Sequence, residues 1–151
     1  MPASPRLAVR AVVIENDQLL LAQYENDWGQ WHIIPGGGVN HGETLEDAFA
    51  RETLEECGHS LPFGDVLFVR EVMADRHPEG LMPAGHHQVE LYIGSALPDG
   101  VTLTPSEPDR FQTGLIWHPL DKLEEICFFP AKLIENFRTQ SWPKIYCGET
   151  G

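Results

Sequence analysis

The sequence predicts a mixed α/β (α+β) fold on three observations. Short runs rich in β-branched and aromatic residues recur at 7–14, 18–22, 31–34, 66–74, 89–96 and 115–118, each closed by a turn-forming residue. Residues 45–57 carry Leu45, Ala48 and Phe49 on one helical stripe. A second helical segment opens at Pro130, with Leu133, Ile134 and Phe137 on one face.

The elements follow in order. Residues 7–14 (LAVRAVVI) run to the turn signal Asn16-Asp17, and 18–22 resume the apolar run, so the two pair as antiparallel strands. Trp28-Gly29-Gln30 breaks the chain before a short strand at 31–34, which Pro35 and a glycine loop terminate. Thr44 stands as N-cap of the first helix, with Asp47 in the capping-box position, and Gly58 supplies the stop. After Pro62-Phe63-Gly64 come strands at 66–74 (VLFVREVMA) and 89–96 (VELYIGSA). The stretch between them is broken by Pro78, Gly80, Pro83 and Gly85, which predicts a loop over 75–88. Loops longer than about 12 residues in a compact domain generally bind something or are disordered. Residues 104–113 hold too many breakers to be regular, and 115–118 (LIWH) is the last clear strand. Leu120, Leu123 and Ile126 lie at helical spacing, and the tail WPKIYCGETG has the composition of a short edge strand.

At 151 residues, with no linker or internal repeat, the chain is expected to be one domain, 1–151. The formal charge is -13. Such an acidic surface repels a phosphate backbone, so nucleic-acid binding is not expected, whereas a polyphosphate bridged through a cation stays open. Glu124, Glu125 and Glu135 read as solubilising surface. No apolar run reaches the roughly 18 residues needed to span a membrane, and MPASPRLAVR lacks the apolar core of a secretion signal. Cys57, Cys127 and Cys147 cannot all pair within one chain, so a reduced, cytoplasmic protein is expected.

One stretch carries chemistry: residues 36–59, GGGVNHGETLEDAFARETLEECGH. Glu52, Glu55 and Glu56 stand at i, i+3 and i+4, within an arc of roughly 100° on the helix. Like charges at this spacing cost about 0.2–0.5 kcal/mol per pair, and they lie at the negative end of the helix dipole. A helix selected for stability alone would carry lysine or arginine there. The pattern therefore points to a bound hard cation, Mg²⁺ or Mn²⁺ rather than zinc, because all the ligands are oxygen.

From Gly37 the order is Gly, five residues, Glu43, seven residues, Arg51-Glu52, two residues, Glu55-Glu56, one residue, Gly58. This resembles the Nudix box of the Nudix (MutT-like) hydrolase family. Thr53 and His59 depart from it, each standing where the family usually has an aliphatic packing residue. The resemblance implies an α/β/α sandwich with a mixed, largely antiparallel sheet between the helices. It also implies metal-dependent hydrolysis of a nucleoside diphosphate linked to another group X, by water attack on phosphorus. It makes Glu52, Glu55, Glu56 and the Gly36 carbonyl metal ligands, Arg51 the residue that orients the glutamates, and Glu43 a support for the loop.

The general base is left open between a box glutamate and the loop acids Glu107 and Asp109. Gly37 and Gly38 are expected beside the phosphates. Trp31 or Trp28 is available to stack on a base, and His77, His86 and especially His87 to meet a phosphate, with plain packing and loop roles as the competing readings. Cys57 lies beside Glu56 near a helix C-terminus, which raises a thiol pKa and argues against a nucleophile. Two other functions compete. A diadenosine polyphosphate or ADP-ribose specialist resembles others of its kind in a tyrosine or proline 15 to 18 residues past the box, but Ala74, Asp75, Arg76 and His77 stand there, with Pro78 one place beyond, so the marker is missing or displaced. A non-catalytic nucleotide sensor would be expected to have lost charged box residues, and none is lost. A homodimer is compatible with all three.

Overall fold

Strand β1 (Arg6–Glu15) organises the sheet because both of its faces are buried. Val9, Ala11 and Val13 pack with Ala48 and Phe49 of helix α1 (Leu45–Cys57). Val12 faces the other way, into a cluster with Phe68, Tyr92 and Phe137, the last from helix α2 (Ile134–Thr139). A strand covered on both sides needs a near-continuous apolar run, which is how residues 7–14 read. The two clusters put α1 on one face of the sheet and α2 on the other, the layering expected of the sandwich. The computed structural model describes residues 4–80 and 82–151; residues 1–3 of the N-terminal stretch and residue 81 of the 75–88 segment lie outside the described residues.

Asn16 and Asp17 both adopt left-handed backbone, at φ 52° and 60°, and turn β1 tightly into β2 (Gln18–Asn26). The two strands stay paired only at Ile14↔Leu19 and Glu15↔Gln18 and then diverge. β1 goes on with β4 (Gly36–Gly38) and, in parallel, with β6 (His87–Ser95). β2 goes on with β3 (Gly29–Ile33) and β7 (Gln112–Pro119). This splaying curls the sheet, whose order is completed by β5 (Val66–Met73), β8 (Phe128–Phe129) and β9 (Tyr146–Glu149) as β8-β3-β2-β1-β6-β5-β9. The pairs β1·β6, β3·β8 and β5·β9 are parallel and the rest antiparallel. Among the described residues no helix is long and apolar enough to cross a membrane.

Helix α1 is bounded as the sequence predicts. The Thr44 side chain accepts from the Asp47 N–H at 3.0 Å, the Asp47 carboxylate accepts from the Thr44 N–H at 3.1 Å, and Gly58 closes the helix at φ 79°. Thr53 works differently from an aliphatic residue. Its hydroxyl donates to Phe49 O at 2.8 Å and accepts the Leu61 N–H at 3.1 Å, so it ties the following turn to the helix while Leu61 fills the apolar cluster. His59 turns its ring to the Ser60 carbonyl.

Three local expectations are corrected. Residues 36–38 are a strand rather than a loop, paired Ala8↔Gly38, Val9↔Gly37 and Arg10↔Gly36; glycines carry no side chains from which a period could be read. Leu120–Glu125 forms 3₁₀ turns with a break at Lys122 rather than an α-helix, because the spacing of Leu120 and Leu123 serves three residues per turn equally well. The C-terminal helix is preceded by a 3₁₀ turn at Ala131–Leu133 and ends at Gln140 in left-handed backbone, so α2 is only six residues long. The tail forms β9, parallel to β5, and the 75–88 segment opens with a 3₁₀ turn at Ala74–Arg76.

Candidate active site

α1 crosses β4 so closely that a Cβ on Gly37 would overlap the carboxylate of Glu52. A side chain at Gly37 would displace the Glu52 carboxylate, and at Gly36, with φ 150°, it would run into the Val9 backbone. Arg51 gathers the acids around this crossing. It donates through Nε and Nη2 to both oxygens of Glu43, each at 2.8 Å, through Nη1 to Glu52 at 2.7 Å, and through Nη2 to the Gly38 carbonyl at 2.9 Å. Glu55 lies 3.5 Å from Nη1. One guanidinium thus offsets the repulsion that the i, i+3, i+4 spacing creates. Its hydrogen bonds hold Glu43 at a pKa of about 2, and Glu43 also accepts the Asn40 N–H, which fastens the loop to the helix.

Glu56 is turned inward and is 1% exposed. Its Oε2 accepts the Gly36 N–H at 2.8 Å and its Oε1 faces the Tyr24 hydroxyl at 3.3 Å. Burial raises its pKa to about 8, against the pull of Arg10 and helped by a hydrogen bond with Asp109. Asp109 also receives the Tyr24 hydroxyl at 3.4 Å. Its position follows from the unpaired carbonyls at the end of α1. The N–H groups of Ser106 and Glu107 donate to Glu55 O, and that of Thr104 to Cys57 O at 2.7 Å. The segment anchored this way carries Asp109 over the helix end. Burial, with Glu56 adjoining, pushes the Cys57 thiol up to about 12, which leaves it inert.

The donor set suits a hard divalent ion: three carboxylates on one helix arc and the Gly36 carbonyl, all oxygen. Among the described residues no three His, Cys, Asp or Glu side chains stand close enough together to hold a metal ion by themselves. Arg51 gathers Glu43, Glu52 and Glu55, while the Gly36 N–H holds Glu56 separately, an arrangement compatible with an ion that keeps several waters.

Beside these groups lies a cavity of about 170 Å³. Trp31, Ile33, Val72, Met82 and Phe129 wall it, and Arg10, Arg70 and Glu90 lie beneath. Arg10 connects the two regions, donating through Nη1 to Ile34 O and Gly36 O, each at 3.2 Å. Trp31 stacks on Tyr24 with ring centroids 5.4 Å apart.

A family model of the NUDIX domain matches residues 4–137. The chain belongs to the Nudix family. Among solved structures it is similar to a NUDIX hydrolase from Nitrosomonas europaea, at 20% identity and a TM-score of 0.71 over 91% of each chain. It is also similar to a MutT NUDIX hydrolase from Burkholderia pseudomallei, at 25% identity and a TM-score of 0.68 over 87% of this chain and 96% of that one. An ADP-ribose pyrophosphatase from Streptococcus suis matches at 19% identity and a TM-score of 0.63, over 97% and 98%. The protein is a hydrolase. Nudix hydrolases act on small nucleotide-type substrates and generally use divalent metal ions.

Within this Nudix domain the box residues Gly36, Gly37, Gly38, Glu43, Arg51, Glu52, Glu55 and Glu56 come together at the crossing of β4 and α1. Both loop acids are exposed, but Asp109 receives the Tyr24 hydroxyl that also faces Glu56, whereas Glu107 makes its contact through its backbone N–H. Trp31 lines the cavity; Trp28, 52% exposed, meets it edge-on. His87 is not brought to the cavity: it pairs with Glu71 at 2.7 Å. His77 lines the cavity rim, hydrogen-bonded to Glu149, and His86 turns to Gln88. The box did not point to Arg10, Tyr24, Arg70 or Glu90. For Arg10, Arg70 and Glu90 the signal was present as charged residues inside apolar strands, in LAVRAVVI, VLFVREVMA and VELYIGSA, whereas Tyr24 carried none.

Proposed function

We propose that the protein is a Mg²⁺- or Mn²⁺-dependent pyrophosphohydrolase that cleaves a nucleoside diphosphate linked to another group X by attack of water on phosphorus. The observation that carries this reading is the gathering of Glu43, Glu52 and Glu55 around Arg51, with Glu56 and Asp109 meeting beside it and a Trp31-walled cavity adjoining. Glu52, Glu55, Glu56 and the Gly36 carbonyl would hold the ion. The chemistry supplied with such an ion in place is neutralisation of phosphate charge and acidification of water. Arg51 keeps the carboxylates oriented toward β4, where the space over Gly37 and Gly38 is taken by the Glu52 carboxylate and the Arg6 guanidinium.

We assign the proton-accepting role to Asp109 rather than Glu107. Asp109 shares the Tyr24 hydroxyl with the buried acid of the box and is carried on an exposed segment at the end of α1, where a water can reach it. The cysteines Cys57, Cys127 and Cys147 are all free, which supports a cytoplasmic location.

Phosphate release with Mg²⁺ tests the reading over nucleoside triphosphates, ADP-ribose, nucleotide sugars and dinucleoside polyphosphates. Turnover of at least one substrate class, abolished by a chelator, is the expected result. Tight binding of one nucleotide with no turnover on any would make the protein a sensor instead.

A further inference from the structure

We infer that the cavity selects a nucleobase by its oxo, hydrogen-bond-accepting edge, because among the described residues the Arg10–Glu90–Arg70 floor offers donors and no free acceptor. The inference rests on the reading above that the substrate is a nucleotide.

The floor is a buried polar network that the box chemistry does not use. Glu90, 2% exposed, accepts from Arg10 Nε at 2.8 Å, Arg70 Nε at 2.7 Å, Gln88 Nε2 at 2.9 Å and the Tyr92 hydroxyl at 3.0 Å. A carboxylate has about four lone-pair sites. The acceptor capacity of Glu90 is therefore taken up by the protein. Burial opposes its charge, but the two guanidiniums prevail and keep it ionised.

The guanidiniums, by contrast, are acceptor-poor. Beyond Glu90, Arg10 reaches the Ile34 and Gly36 carbonyls, and Arg70 reaches Thr150 O at 2.8 Å and Thr150 Oγ1 at 3.2 Å. Glu56, the other acid near Arg10, is turned to the Gly36 N–H and Tyr24. At the rim, Glu149 is occupied by His77 and by the Met73 N–H. Two forked cations thus share one carboxylate and a few neutral oxygens, leaving the polar capacity of the floor on the donor side.

The walls decide the shape of the occupant. Trp31, braced by its stack on Tyr24, gives a flat apolar surface, and Ile33, Val72 and Phe129 enclose the rest. At about 170 Å³ the space falls below the ~300–1,000 Å³ of a pocket for a whole small molecule, so it fits one ring system. A flat ring with oxygen at its buried edge satisfies both walls and floor. An amino group presented there would bring a donor to donors and leave both unpaired.

The test is calorimetric binding of α,β-methylene nucleoside diphosphates, which resist cleavage at that bridge, to the wild-type protein. Guanosine and uridine forms are expected to bind at least about tenfold more tightly than adenosine and cytidine forms. Equal or reversed affinities, or no binding by any of the four, overturn the inference. Arg70→Gln puts an amide acceptor into the floor and should draw the ratio toward one. A folded variant that keeps the full preference overturns the assignment to this floor. Hydrolysis assayed in parallel separates the two readings. Equal turnover of all four bases as triphosphates removes base selection and leaves the pyrophosphohydrolase standing, whereas selective binding without turnover does the reverse.

Discussion

Arg51 grips Glu43 through two parallel hydrogen bonds of 2.8 Å, eight residues back along the chain, and keeps a third nitrogen for Glu52. The fork geometry matters as much as the charge, because an ammonium has three donors and cannot supply the paired bonds to Glu43 together with those to Glu52 and the Gly38 carbonyl. Arg51→Lys is expected to lower metal affinity and kcat by about 10- to 100-fold, the range for residues that orient metal ligands. Metal titration and steady-state kinetics check it. A lysine variant with wild-type metal affinity would show that charge alone suffices.

Glu56 separates function from stability. Its pKa in the metal-free fold is about 8 against an ordinary 4.5, so the folded chain holds a proton that the unfolded chain releases between those values. Stability of the metal-free protein therefore falls as pH rises from about 4.5 through about 8. Glu56→Gln has no proton to lose. It should abolish most turnover, match or exceed the wild-type Tm at pH 8 in chelator, and flatten the decline. A variant retaining near wild-type turnover would remove Glu56 from the metal set.

Glu90 behaves in the opposite sense. Although burial disfavours its charge, Arg10 and Arg70 hold its pKa at about 2, below the ordinary 4.5. Its contribution to stability is present above about 4.5 and is lost as pH falls from there toward 2. Glu90→Gln leaves two buried guanidiniums short of a counter-charge and is expected to cost about 3–5 kcal/mol at pH 7. Denaturant unfolding at pH 7 and pH 3 reads both effects: the gap between wild type and variant should narrow in acid.

The two loop acids give opposite expectations. Asp109→Asn should lower kcat by about 100-fold or more, the usual contribution of a positioned base, while Glu107→Gln should stay within about twofold. Single-turnover kinetics at saturating metal distinguish them, and a large loss for Glu107 with none for Asp109 would invert the assignment.

Much of the site was legible in the sequence because its signals are local. The cap at Thr44, the stop at Gly58 and the acidic arc all depend on residues a few positions apart. β4 was not legible, because three glycines have no pattern and their pairing with β1 depends on α1 packing over them. The choice between Glu107 and Asp109 was equally hidden. They are two residues apart in a segment without periodicity, and hydrogen bonds to the end of a distant helix decide which one faces Glu56. The tail was ambiguous for a related reason: β9 is held by Arg70 and Glu71 of β5, through the Thr150 carbonyl and N–H.

The suspension of 104–107 from α1 has a consequence for engineering. The rungs are the N–H groups of Thr104, Ser106 and Glu107; Pro105 falls between them and Pro108 just after, where no N–H is called upon. Main-chain rungs are indifferent to side-chain identity, with proline the one exclusion. With Ser106 kept, because its hydroxyl also donates to Leu54 O at 2.8 Å, the rest of this surface can therefore be rewritten in a library, to alter which leaving group is admitted, while the mount that carries Asp109 stays in register.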